Sequence, residues 1–161
     1  MLQRGEYADI LRAIGRSLDT AGASSFEIRH SDGFMDLSWQ DDGGTSTART
    51  YQKIEVERLR DEARTMRSES HPQPIGRRAD QLRTLGQELD EQGVLATRIL
   101  EDSAGLHVAG TRDGEHFSQS YTTATLAQAS ETRRAQRQAA AAALSGPSTR
   151  PSWWKRLLGM S

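Results

Sequence analysis

Residues 7–22 (YADILRAIGRSLDTAG) and 78–93 (RADQLRTLGQELDEQG) coincide at eight of sixteen positions when aligned at an offset of 71. The identities are Ala8/Ala79, Asp9/Asp80, Leu11/Leu82, Arg12/Arg83, Gly15/Gly86, Leu18/Leu89, Asp19/Asp90 and Gly22/Gly93. Random pairing would give about one match. Weaker correspondences continue through Ile28/Ile99, Met35/Leu106 and Leu37/Val108, and Tyr51 falls opposite Tyr121 after one deletion. The pattern reads as a tandem duplication, so each half is a check on the other.

Leu11, Ile14 and Leu18 form an apolar stripe at spacings of three and four, and Leu82, Leu85 and Leu89 repeat it. Each half therefore opens with an amphipathic helix, ended by Gly22 or Gly93 in the left-handed region. Beyond these glycines the period drops to two. Phe26, Ile28 and His30 alternate with polar residues, as do Met35, Leu37 and Trp39, with Ser31-Asp32-Gly33 as the turn between them. Asp41-Asp42-Gly43-Gly44 leads into a Thr-rich third strand ending near Tyr51. The second half places strands at 97–100, 106–109 and 116–121, with turns at 102–105 and 112–114. A closing helix follows in each half. Val56, Leu59, Ala63 and Met66 stripe the first. The second, from about 122 to 144, has Arg133 and Gln136 where the first has Ala63 and Met66, so its distal half has less to bury.

The spacing predicts an α+β fold, an α-β-β-β-α unit used twice. Residues 1–71 are the first unit, 72–144 the second, and 145–161 a linker and tail. The Pro-containing stretch 70–74 joins the units, because the residue before a proline is pushed out of helix. Hydrophobic residues are only 35% of the chain, and three strands with helices on one face make a thin core. Pairing into a six-stranded pseudo-two-fold sheet, or packing face to face, would bury more.

Sequence chemistry excludes more than it assigns. There is no cysteine, which removes disulfide frameworks and thiolate metal sites. No GxxxxGK[ST], GxGxxG or GxSxG pattern is present. No cofactor, metal or catalytic residue is expected, and the protein reads as non-enzymatic. His107 and His116 fall on adjacent strands, with Glu101 or Asp113 as the only third metal ligand to suggest; packing or surface histidines are the simpler reading. Gly15 and Gly86, inside helices where glycine costs about 1 kcal/mol, point to close backbone packing rather than to a ligand.

The C-terminal segment carries the sharpest functional signal. Net charge is −1 overall, but residues 145–161 hold Arg150, Lys155 and Arg156 with no acid. After a Gly/Pro/Ser linker, Trp153, Trp154, Leu157 and Leu158 would share one face of a short helix, with Lys155 and Arg156 opposite. About two turns cannot hold together alone in water. Such a segment suits a membrane surface or a groove on a partner. The expected function is an adaptor whose body binds a protein and whose tail docks, in the cytoplasm with peripheral attachment to membrane. The alternative is a single-strand nucleic-acid module using the sheet with Arg58, Arg64, Arg133, Arg134 and Arg137. Interleaved acids such as Glu57, Asp61 and Glu62 weigh against it.

Overall fold

The structure, a computed structural model, describes residues 5–31, 33–68 and 76–144. The elements run α1 (Tyr7–Thr20), β1 (Ala23–Ser31), β2 (Phe34–Asp41), β3 (Ser46–Gln52) and α2 (Lys53–Ser68), then α3 (Arg77–Gln92), β4 (Val94–Asp102), β5 (Gly105–Arg112), β6 (Glu115–Tyr121) and α4 (Thr123–Leu144). The six strands form one antiparallel sheet in the order β3-β2-β1-β4-β5-β6. Of the two arrangements open to the sequence, the joined sheet is the one adopted. The linker and tail (70–74 and 145–161) lie outside the described residues, and so does Asp32 of the first turn.

The halves meet at β1 and β4, where Glu27 pairs with Leu100, Ile28 with Ile99 and Arg29 with Arg98. Adding 71 to the β1 member and subtracting it from the β4 member returns the same set of pairs, so the register is self-complementary about Ile28 and Ile99. β4 runs well past the expected 97–100. A bulge between Ala96 and Arg98 breaks its alternation, while ladder bonds to β5 continue on both sides. Asp113 and Gly114 both have positive φ, the two-residue turn that suits a right-twisted hairpin.

α1 and α3 cross antiparallel over the inner face of the sheet. Leu11, Ile14, Leu82, Leu85 and Leu89 are completely buried there against Ile28, Leu37, Ile99 and Val108. The interior glycines make this crossing close. A Cβ on Gly15 would lie 2.5 Å from the Ala79 Cα, and one on Gly86 would lie 2.6 Å from the Ala8 Cα. Each glycine thus faces the other helix's alanine backbone.

Capping between these helices is reciprocal as well. Neither α1 nor α3 caps its own N-terminus with a side chain. Asp90, near the end of α3, accepts from the backbone N–H groups of Gly5, Tyr7 and Ala8. Asp19, near the end of α1, accepts from Arg78 and Ala79. An acid in the last turn opposes its own helix dipole, but here it meets the positive end of the neighbour.

α2 packs beside α1 through Arg60–Glu6 (2.6 Å) and Arg64–Asp9 (3.1 Å). Val56 and Ala63 are buried and Leu59 partly so. The chain separates into two compact units, 1–130 and 131–161. The second is described from Glu131 to Leu144, where α4 is helical and, Arg133 apart, exposed.

Candidate binding cavity

A cavity of about 180 Å³ lies where the N-terminal turns of α1 and α2 meet the β1–β2 turn and the start of β4. Each wall follows from the sequence periods. Tyr7 and Ile10 come from the apolar side of α1, Met35 from the inward register of β2, and Val56 from the stripe of α2. Phe34 stands beside it, 51% exposed. Phe34 is the register partner of Gln52, two residues before Ile54, and Ile54 is itself 61% exposed. The Lys53 N–H donates to the Gly33 carbonyl and fastens this corner. The rim is charged, with the Glu6–Arg60 pair, Lys53 and Glu57.

His30 is the inward residue at the end of β1 and lines this cavity. Both ring nitrogens are out of reach of solvent, and the polar partner of the ring is the backbone of Ala96. Its ring makes a T-shaped contact with Tyr7, at 6.4 Å between centroids. Desolvation pushes its pKa down to about 4, with the backbone of Ala96 opposing in part, so the imidazole is neutral at pH 7. Burial likewise pushes the Tyr7 phenol up to about 12. Its hydroxyl oxygen accepts from the Ala96 N–H at 2.9 Å.

The other half builds a counterpart. A second cavity, of about 380 Å³, is lined by Arg77, Gln81, Glu101, Gly105, Leu106 and Leu126. These are the positional equivalents of Glu6, Ile10, His30, Phe34, Met35 and Val56. There the groups at the Tyr7 and His30 positions are Arg78 and Glu101, which pair at 3.0 Å while only 9% and 10% exposed. Arg78 also donates to the Ser24 carbonyl, as Tyr7 engages Ala96. The inward polar residue is thus held by an ion pair in one half and by the Ala96 backbone and the Tyr7 ring in the other.

The outer face of the sheet is polar. Glu27 accepts from both Arg29 (2.8 Å) and Arg98 (2.6 Å), and Arg29 foremost holds its carboxyl below the usual range. On β5 and β6, His107 Nδ1 lies 2.7 Å from the Ser120 hydroxyl, and Nε2 lies 2.9 Å from Asp102. Asp102 is held low, chiefly by the Ala104 N–H and then by His107. This resembles a nucleophile–base–acid series in distance only. The Asp102 contact lacks hydrogen-bond alignment, and His107 and Asp102 are 38% and 46% exposed. A partly exposed cross-strand polar network accounts for it.

His107 and His116 do not meet; their register partners are Ser120 and Thr111, four positions apart along β5. Among the described residues, no group of three or more His, Cys, Asp or Glu side chains is placed to hold a metal. Arg58 and Arg64 are exposed on α2, where Arg64 is engaged by Asp9. Arg133, Arg134 and Arg137 belong to the second unit. Trp153, Trp154, Lys155, Arg156, Leu157 and Leu158 lie outside the described residues. Among the described residues no helix is long and apolar enough to cross a membrane.

Sequence reasoning missed the His30 cavity. Its signal was there as a mismatch: the halves agree at apolar inward positions but differ at Tyr7/Arg78 and His30/Glu101. No family model, curated protein or solved structure matches the chain.

Proposed function

We propose that this chain is a non-enzymatic adaptor. Its body receives a segment of a protein partner at the cavity beside Phe34, and its Trp153–Leu158 segment docks to a membrane surface or to a groove on a second partner. The observation that carries the reading is the corner itself. Phe34, a large apolar residue that is half exposed, stands at the mouth of a cavity walled by Ile10, Met35 and Val56, and the exposed Ile54 follows Lys53 of its rim in the chain. Exposed apolar groups beside a concavity are the usual form of a protein-binding anchor site.

The alternative, single-stranded nucleic acid on the sheet, has less to support it. Such sites need unpaired cations and stacking rings. On the outer face Arg29 and Arg98 are both engaged by Glu27, and Phe34 is the exposed aromatic of the described strands.

The test begins with in-cell cross-linking to the full chain, followed by binding measurements on the purified partner. A Phe34→Asp/Ile54→Asp variant should bind at least about tenfold more weakly, the usual cost of losing one anchor. Trp154→Ala should abolish retention on anionic vesicles or on the second partner. Unchanged binding by the corner variant would refute the body site, and unchanged retention would refute the tail site.

A further inference from the structure

The strand order leaves β3 and β6 at the two edges of the sheet. An edge strand is a template for a further strand, and proteins ordinarily blunt it with proline, lysine or a bulge. β3 has none of these. Its seven residues, Ser46–Gln52, pair with β2 without a register shift, and all but Tyr51 are exposed.

The ladder fixes which backbone groups face outward. The Lys53 N–H donates to the Gly33 carbonyl, and the Thr45 carbonyl accepts from the Asp41 N–H. Residues 45 and 53 therefore turn toward β2, and so do the alternate residues between them, Thr47, Arg49 and Tyr51. Ser46, Ala48, Thr50 and Gln52 present their N–H and C=O groups to the edge. The Gln52 N–H is already taken by Glu55 at 2.9 Å, which ends the row of open donors at Thr50. Side chains leave this row clear. The Ser46 hydroxyl accepts from Gln40 at 3.3 Å, and the Thr50 hydroxyl donates to Asp36 at 2.6 Å, both back over β2. Arg49 lies against its own Tyr51, 4.4 Å from the ring centroid.

We infer that β3 pairs antiparallel with β3 of a second copy of this chain, about a two-fold axis at Ala48. Ser46 then exchanges both backbone bonds with Thr50 of the second copy, Ala48 with Ala48, and Thr50 with Ser46, so that every open donor is matched. Thr47 stands opposite Arg49. Moving the axis to Arg49 would set two guanidinium groups opposite each other and direct a bond at the occupied Gln52 N–H. A second copy brings the matching row by symmetry, and the chain already joins its own halves this way, antiparallel about Ile28 and Ile99. The dimer goes beyond the adaptor reading and stands without it. It carries two cavities and two Trp153–Leu158 segments, and pairing strengthens an anchor that is weak when single.

The experiment is sedimentation equilibrium of the full-length protein at increasing concentration. The mass should rise from 17.8 kDa toward twice that value and stop there. Over the same range the amide NMR signals of Ser46, Ala48 and Thr50 should shift, and those of Ser118 and Ser120 on β6 should not. Ala48→Pro removes the central N–H from both copies and should weaken the dimer at least about tenfold. Should that variant fail to fold, charge decides: Ala48→Lys and Ala48→Glu should each pair less tightly than the wild type, and a mixture of the two should pair more tightly than either alone. A monomer at every concentration would overturn the inference. So would growth past the dimer, which β3 meeting β6 head to tail would give, or a dimer indifferent to all three variants. Shifts at β3 only on adding the purified partner would assign the edge to that partner and overturn it as well.

Discussion

Replacing Gly15 or Gly86 by alanine should destabilise this protein, although the same change in an exposed helix stabilises it by about 1 kcal/mol. The reversal follows from what the new methyl group would meet. On Gly15 it would lie 2.5 Å from the Ala79 Cα and 2.7 Å from both the Ala79 nitrogen and the Arg78 carbonyl oxygen. Ordinary contact begins near 3.4 Å, so α1 and α3 must part by about 0.9 Å. Every close atom is backbone, so no side chain can swing aside. Parting the helices also loosens Leu11, Ile14, Leu82 and Leu85, all fully buried between them and the sheet. Overpacking of this kind costs roughly 1–3 kcal/mol, occasionally more. Set against the propensity gain, a net loss of about 1 kcal/mol is expected for either variant. Urea unfolding should show a lower midpoint with an unchanged slope. The double variant should lose less than the sum, because one separation of the helices relieves both contacts. Either alanine variant proving as stable as the wild type would refute the crossing geometry.

Leu11→Ala and Leu82→Ala should each cost about 2–5 kcal/mol in the same assay, and near-neutral effects at both would mean the stripes are not core. Asp90→Ala should cost about 1–2 kcal/mol through loss of the cap on α1. Asp90→Asn should cost less, since burial already raises that carboxyl and an amide oxygen still accepts; equal losses would contradict this. His30 should make stability depend on pH. Its folded pKa, about 4, lies below the unfolded value of 6.5, so the unfolded chain binds the extra proton between them. Stability is full above pH 6.5 and falls by up to about 3 kcal/mol as pH drops through 4. In His30→Leu that component should vanish; an unaltered pH profile would refute it.

Periodicity made most of the fold legible. Leu11, Ile14 and Leu18, with their partners in the second half, marked the helices, and alternation through Phe26, Ile28, Met35 and Leu37 marked the strands. The recurrence of Gly15 as Gly86 indicated close packing, and the crossing of α1 over α3 is where it occurs. β4 was underestimated because the bulge at Ala96/Arg98 interrupts alternation without interrupting the ladder. The reciprocal Asp19 and Asp90 caps were hidden for a different reason. They bond backbone N–H groups some 60 to 85 residues away, and sequence spacing carries no trace of that. A hint remained, since an acid matched in both halves at a helix's C-terminal turn is locally unfavourable. The cavity was the least legible feature. Its walls come from six elements, and the Tyr7 and His30 pair is recognisable only beside the Arg78–Glu101 pair at the equivalent place.

That the first cavity keeps a buried, desolvated imidazole is tested most directly by titrating the His30 Hε1 resonance, assigned by its loss in His30→Leu. The midpoint should fall near 4, well below that of a solvated histidine. A midpoint near 6.5 would place His30 in water or beside an acid, and the claim of a buried, desolvated imidazole at the floor of the cavity would be wrong.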